Sequence, residues 1–213
     1  MTTTSLLELV YVDEWLLVAN KPAGLLAVPG RGPDKQDCLS ARIQEVYPDA
    51  LVVHRLDMAT SGLMMFARNL VMQRTLSGMF AERKIEKRYI ALTNGKFDVD
   101  HGEVNLPIAA DWPRRPMRKI DFVMGKSSTT RYRVLKEVDG GPNDSYSRVE
   151  LLPVTGRTHQ LRVHLAAIGH PILGDALYGS AATAPRLMLH ACVLDFVNPG
   201  STKPLHLLCN PPF

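Results

Sequence analysis

Residues 51–67 read Leu51-Val52-Val53-His54-Arg55-Leu56-Asp57-Met58-Ala59-Thr60-Ser61-Gly62-Leu63-Met64-Met65-Phe66-Ala67. Two short apolar runs, 51–53 and 63–67, bracket a polar stretch that ends in Thr-Ser-Gly. Runs of this length bounded by turn residues predict buried strands. A basic pair and a carboxylate therefore fall at the junction of two core strands. A carboxylate buried without a partner is costly, so Asp57 needs a cation or several hydrogen bonds. A structural ion pair that ties the loop is one reading; a reactive carboxylate is the other, and the rest of the chain has to decide between them.

Downstream, Asn69 caps a predicted helix with Met72, Leu76, Met79 and Phe80 at helical spacing, a stripe that reads as core. Arg83–Leu92 follows, in which five of ten residues are charged and four of those are basic. Most of these charges read as a solvated turn before a strand. Tyr89 differs, because it ends the basic run and opens the apolar one. It is either a core tyrosine or a ring and hydroxyl presented to a base.

Residues 93–126 are the least regular. Gly102–Pro107 predicts a short strand that ends at proline. Asp111-Trp112-Pro113-Arg114-Arg115-Pro116-Met117-Arg118-Lys119 holds one of the two tryptophans and four cations in nine residues. Its prolines keep it out of a regular ladder. An exposed loop with cations for phosphate and an aromatic for stacking suits RNA; a basic surface loop whose tryptophan packs inward is the alternative. Ser128–Val138 and Tyr146–Val154 alternate as strands around a turn at 140–144. Long neighbouring strands point to an antiparallel or mixed sheet and an α+β fold.

Residues 155–171 predict a helix, with Thr155 or Thr158 as cap and Gly169 and Pro171 as stop. Leu161, Leu165 and Ile168 form its apolar face, and Arg162 lies near the edge of that face. A guanidinium on a rigid helix can meet a carboxylate bidentately. His159 and His164 stand five apart, which does not suit one helical face, so they read as structural and not as a metal pair. Asp175 reads as structural. The last strands are expected at Arg186–Ala191 and Leu205–Leu208.

Upstream, Leu7–Tyr11 and Trp15–Ala19 predict two strands around Asp13-Glu14. Asn20-Lys21-Pro22-Ala23-Gly24-Leu25-Leu26 reads as a loop against the core. Asp37 is expected to cap a helix bearing Leu39, Ile43 and Val46 on one face and stopped by Pro48. The 213 residues carry a net charge of +4, with 46% apolar and 22% charged side chains. That is ordinary for a globular protein. The three cysteines show no metal-ligand or disulfide spacing. Neither a signal peptide nor an apolar run of membrane-spanning length is visible. A cytoplasmic protein with no membrane partner is expected.

The nine residues His54–Gly62 resemble the H-R-L-D-x-x-T-S-G motif of the RluA family of pseudouridine synthases. Asn20–Leu26 resembles the segment that opens the family's catalytic domain. Lys87-Arg88-Tyr89 resembles its K-x-Y motif, Gly156–His164 its G-R-x-H-Q-L-R-V-H motif, and Arg186–Ala191 its R-L-x-L-H-A motif. Ile172–Gly179 and the Asp111–Pro116 segment also match. The resemblance implies one catalytic domain over 1–213, of the short form without an S4-type RNA-binding domain, with a mixed, mostly antiparallel sheet flanked by helices and loops. It implies that Asp57 is the catalytic aspartate, with Arg162 as its ion-pair partner. Tyr89 is implied to pack on the target base and take the C5 proton, and Arg55 to help the uridine out of the stack. Leu187 or Leu189 would line the uracil pocket, and Trp112, Arg114, Arg115, Arg118 and Lys119 would hold the RNA. The implied substrate is a uridine in a 23S rRNA stem-loop, a tRNA anticodon stem-loop, or both. No metal, nucleotide or organic cofactor is implied, and a monomer is expected. A glycosidase would need two partnered carboxylates, and only Asp57 has the setting. A non-catalytic RNA-binding module would need the basic loop but not Asp57.

Overall fold

The computed structural model describes residues 7–138 and 145–213; the turn expected at 140–144 lies outside these. In chain order the elements are β1 (Leu9–Val12), β2 (Leu16–Lys21), α1 (Leu39–Val46), β3 (Leu51–Val52), β4 (Ser61–Ala67), α2 (Leu70–Ala81), β5 (Glu86–Asn94), β6 (His101–Asn105), β7 (Ile108–Ala110), β8 (Arg118–Ile120), β9 (Thr129–Val138), β10 (Tyr146–Pro153), α3 (Gln160–Ala167), β11 (Leu189–Val197) and β12 (Pro204–Leu208). The chain forms two compact units, residues 1–86 with 191–211, and residues 87–190 with 212–213.

In the first unit the strands run in the order β1-β2-β4-β11, with β3 on β4 and β12 on β11. Every residue of β4 is buried, as the continuous apolar run predicts for a strand covered on both faces. Its alternation divides the core. Leu63 and Met65 point with Leu16 and Val18 toward Met72 and Leu76 of α2. Met64 and Phe66 point with Leu17 and Ala19 toward Leu39 and Ile43 of α1. One strand thus supplies both cores, because successive side chains take opposite faces.

The α2 cap is the expected one: Asn69 Oδ1 accepts the Met72 N–H at 2.8 Å. The α1 cap is not. Cys38 occupies the position, with Sγ accepting from Ala41, while Asp37 reaches along the surface to Arg42. The Asp37 carboxylate is thereby engaged by the Arg42 guanidinium, and the cap falls to the next residue. Val46 also departs from the expected face and is exposed.

In the second unit β5-β10-β9-β6 follow one another, each pair antiparallel. β7 and β8 form a separate two-stranded ribbon. Helix α3 packs on β8, β9 and β10 through a polar seam. The Gln160 amide donates to the Thr129 carbonyl at 2.9 Å and the Thr130 hydroxyl at 3.0 Å. Its Oε1 accepts from the Thr155 hydroxyl at 2.7 Å and the Arg157 N–H at 3.0 Å. These bonds explain why the helix starts later than expected. Thr155 is tied to Gln160 and does not cap; the N-cap is His159, in the left-handed region at φ 57°. The stop is as expected, with Gly169 at φ 89°. Burial also differs from the amphipathic reading, since every side chain from Gln160 to Leu165 is buried.

β11 begins at Leu189, three residues later than expected. The stretch before it is held by a closed set of backbone bonds, Leu173 N–H to Leu92 O, Leu92 N–H to Met188 O and Met188 N–H to Leu173 O. Gly174, at φ 71°, is required here, because a Cβ would run into the Arg186 carbonyl. No helix among the described residues is long and apolar enough to cross a membrane.

Candidate active site

Asp57 lies in the loop between β3 and β4. It is half-buried, Leu56 beside it is buried, and Arg55 and Met58 are exposed. The burial assumed for Asp57 is therefore only partial. Two features hold the loop. Gly62, at φ 114°, lets β4 approach the backbone of Ala191 so closely that a Cβ would collide with its carbonyl. The other is Lys21, whose side chain is fully buried. Its ammonium donates to the carbonyls of Pro22, Leu25 and Met58 at 2.9, 2.7 and 3.0 Å. The Met58 carbonyl also accepts the Gly24 N–H at 2.9 Å. The Asn20–Leu26 loop and the Asp57 loop are thereby one construction, pinned by a buried cation one peptide away from the aspartate.

His54, at the head of the same loop, faces the N–H of Met65. That N–H donates to Nε2 at 2.9 Å, so Nε2 carries no proton. The ring rests on Phe80, centroid to centroid 4.3 Å.

In the second unit the sequence residues gather around α3. Arg162 is buried and meets Asp175 bidentately, Nε to Oδ2 at 2.8 Å and Nη2 to Oδ1 at 2.6 Å. Asp175 also accepts the N–H groups of Leu177 and Tyr178. Burial alone would raise its pKa, but the Arg162 bonds and charge and the two amides outweigh that and hold the carboxyl below its ordinary range. Asp175, structural on the sequence reading, is a counter-ion of Arg162. The Tyr178 ring lies 5.1 Å from the Arg162 guanidinium carbon. Its hydroxyl accepts the Arg118 N–H at 2.7 Å and lies 2.7 Å from His159 Nδ1. A left-handed conformation at His159 costs a bulky residue about 1 kcal/mol or more, and this contact helps to hold it there. Tyr178 thus joins the start of α3, the Arg162 pair and the β7–β8 ribbon. Sequence reasoning passed over it and Lys21; both stand inside stretches quoted there for other residues.

Of the two histidines His159 and His164, the second lies deeper. His164 is fully buried, with Nε2 3.0 Å from the Leu106 carbonyl and Nδ1 3.0 Å from the Thr130 hydroxyl. A carbonyl only accepts, so Nε2 carries the proton and Thr130 donates to Nδ1. Among the described residues no three His, Cys, Asp or Glu side chains converge as a metal site requires.

Tyr89 is half-buried on β5, opposite Leu151 of β10. Lys87 lies on the same face two residues earlier, and burial pulls its ammonium below the usual range. Leu187 and Leu189 are both buried. The loop at one end of the ribbon is exposed from Trp112 to Pro116, while Asp111 is buried and Arg118 and Lys119, expected in the same loop, pair with Ala110 and Ala109 as part of β8. Trp112 is 67% exposed, and the Arg115 guanidinium lies 3.7 Å from its ring centroid. The other cations are less free than a basic loop implies. Arg114 is held by Asp111 at 2.6 Å and Lys119 by Asp121 at 2.9 Å, while Arg118 is half-buried.

Comparison with known proteins identifies the family. The family model for RNA pseudouridylate synthase matches residues 15–167. The chain is 45% identical over 207 residues to the dual-specificity RNA pseudouridine synthase RluA of Yersinia pestis, covering 96% of this chain and 98% of that one. It is 46% identical over 197 residues to the enzyme of that name from Escherichia coli (strain K12), covering 91% and 88%. Human RNA pseudouridylate synthase domain containing 1 superposes with a TM-score of 0.81 at 30% identity, over 100% of this chain and 86% of that one. The fold is that of these enzymes, and the chain belongs to the RNA pseudouridylate synthase family.

Proposed function

We propose that this chain isomerises uridine to pseudouridine within structured RNA, the 213 residues acting as one catalytic domain. The observation that carries the reading is the likeness to RluA enzymes over nearly the whole of both chains. The family match spans Asp57, Tyr89 and Arg162. The substrate proposed here, on the resemblance of the motifs, is a stem-loop of 23S rRNA, of a tRNA anticodon arm, or both, and the dual-specificity names of those relatives are in keeping with more than one substrate. The enzyme is read as a cytoplasmic monomer that uses no metal or organic cofactor.

In the proposed reaction the target uridine leaves the stack, aided by Arg55. The N1–C1′ bond breaks with its electron pair passing to the base. The base turns, and C5 bonds to C1′. The proton displaced from C5 goes to Tyr89, and N1 takes one up, so that product and substrate are isomers. Asp57 serves either as nucleophile at C1′ or as the base that deprotonates the sugar. Leu187 or Leu189 gives the uracil an apolar wall, and Arg162 is read as the ion-pair partner of Asp57 in the reaction.

Mapping of pseudouridine in total RNA after incubation with the protein gives the test. Wild-type protein is expected to create discrete sites, and Asp57→Asn none, while RNA binding survives. The amide keeps the shape and loses charge and nucleophilicity. Single-turnover rates near wild type for Asp57→Asn would remove Asp57 from the chemistry, and an absence of new sites with wild type would remove the activity.

A further inference from the structure

Phe122, Val123 and Met124 are three consecutive apolar residues with relative exposures of 78%, 88% and 77%. Such a run on a surface is a defect unless it has a use. It is also not loose. Asp121 Oδ1 accepts the N–H groups of Val123 and Met124 at 3.0 and 2.9 Å, and its backbone carbonyl accepts from Gly125 at 2.9 Å. A Cβ at Gly125 would collide with that carbonyl and with Pro107. The bonds from Met124, Lys119 and Val123 hold the Asp121 carboxyl at about 2, so the turn keeps its form at any working pH. Its base is clamped to the ribbon by a reciprocal pair of bonds between Ile108 and Lys126 at 2.9 and 3.0 Å.

The turn lies at the end of the β7–β8 ribbon opposite Trp112. Three residues per strand separate the two ends by roughly 10 Å, the reach of a few nucleotides. The charges around it are basic. Lys119 and Lys126 are exposed, and the exposed Arg157 places Nε 3.5 Å from the Ser127 carbonyl. The one acid of the turn, Asp121, is committed to its backbone and to Lys119.

We propose that the Phe122-Val123-Met124 turn is a second RNA contact, which takes an unstacked base of the substrate loop on Phe122 while the surrounding cations meet phosphate. The inference rests on the reading of the chain as an RNA-modifying enzyme. An apolar platform ringed by cations is the composition of single-strand binding surfaces. A second copy of the chain is a poor occupant. A symmetric contact would set Lys119, Lys126 and Arg157 against their own copies, and like charges across an interface disfavour it.

The test is affinity for a short RNA hairpin with a uridine-containing loop and for a blunt duplex of the same stem, across a salt series. The variant is Phe122→Ser with Val123→Ser and Met124→Ser, and the core is untouched because all three side chains are exposed. Hairpin affinity is expected to fall about tenfold, the low end of one lost base stack. Duplex affinity and the dependence of log K on log salt should not move, since no charge is removed. Phe122→Trp alone should retain hairpin binding. Unchanged hairpin affinity, or equal loss on hairpin and duplex, overturns the proposal. So does sedimentation of wild type as a dimer that the serine variant splits, which makes the turn a self-association surface. Pseudouridine formation by wild type on total RNA, measured alongside, separates the two readings. If it is present and the serine variant binds the hairpin as wild type does, only the turn contact fails; if it is absent, the proposed function itself fails.

Discussion

Arg162 presents two of its nitrogens to the two oxygens of Asp175, at 2.8 and 2.6 Å, and both side chains are almost wholly out of water. This planar, bidentate pairing is available to arginine and not to lysine. It fixes the guanidinium plane on α3. Arg162→Met should therefore destabilise the fold by about 3–5 kcal/mol, because it leaves Asp175 buried without its cation. Asp175→Asn in the same background should recover part of that loss, and Arg162→Lys should recover little. A double-mutant cycle by urea denaturation measures this, and a coupling near zero would mean that the two side chains are independent.

Two groups in the second unit link stability to acid. Burial pulls the His164 imidazole below 6.5, only partly offset by the Leu106 carbonyl. The unfolded chain then binds a proton that the folded chain refuses. Stability from this group is complete above pH 6.5 and declines as pH falls below it, by at most about 1.4 kcal/mol per unit. Asp175 acts in the same direction at lower pH. Its folded value lies below 3.8, so its contribution is present above 3.8 and is lost as pH falls through the folded value. Unfolding free energies between pH 7 and 5 should show the first decline in wild type. His164→Gln, which keeps a donor and an acceptor but no titration, should flatten it, and an undiminished slope in that variant would assign the decline to other groups.

The loop that carries Asp57 depends on Lys21. Lys21→Met replaces a buried cation by an apolar chain of similar length and leaves the carbonyls of Pro22, Leu25 and Met58 without it. Unsatisfied buried acceptors cost about 1–3 kcal/mol each, so a loss on the order of 3 kcal/mol is expected. Hydrogen exchange should localise the added mobility to residues 20–26 and 54–60. Wild-type stability with unchanged protection there would show that the three carbonyls find other donors.

What could be read from the sequence was local. The β4 run, the Asn69 cap and the Gly169 stop each follow from a few adjacent residues, and the structure has them. The Asp57 loop stands out for the same reason, as a polar stretch between two apolar runs. What could not be read was long-range choice. Lys21 and Met58 are 37 positions apart, and nothing local says that a lysine after Asn20 turns inward. The need for a counter-ion was visible for Asp57, but which carboxylate faces Arg162 depends on the turn that brings Asp175 under α3. The cap of α1 fell to Cys38 while Asp37 pairs with Arg42 five residues on.

The last prediction concerns the ribbon end, where the four cations, Arg114 and Arg115 in the loop and Arg118 and Lys119 on β8, are not equivalent. Arg115 lies on Trp112, so the pair offers an aromatic face and a charge from one place. Arg114 already faces Asp111 and Lys119 already faces Asp121, and a paired cation displaces fewer counterions when it meets phosphate. Arg115→Ala should then weaken RNA binding and lower the salt slope by roughly one unit, and Arg114→Ala and Lys119→Ala should each lower it by less. Trp112→Ala should remove a stack of about 1–3 kcal/mol and affect a hairpin more than a duplex. It should also loosen Arg115, so that the double change with Arg115→Ala costs less than the sum. Binding titrations of each variant over a salt series decide the matter. If removing all four cations leaves both affinity and slope unchanged, this loop does not touch the RNA and its charges serve only the Asp111 and Asp121 pairs.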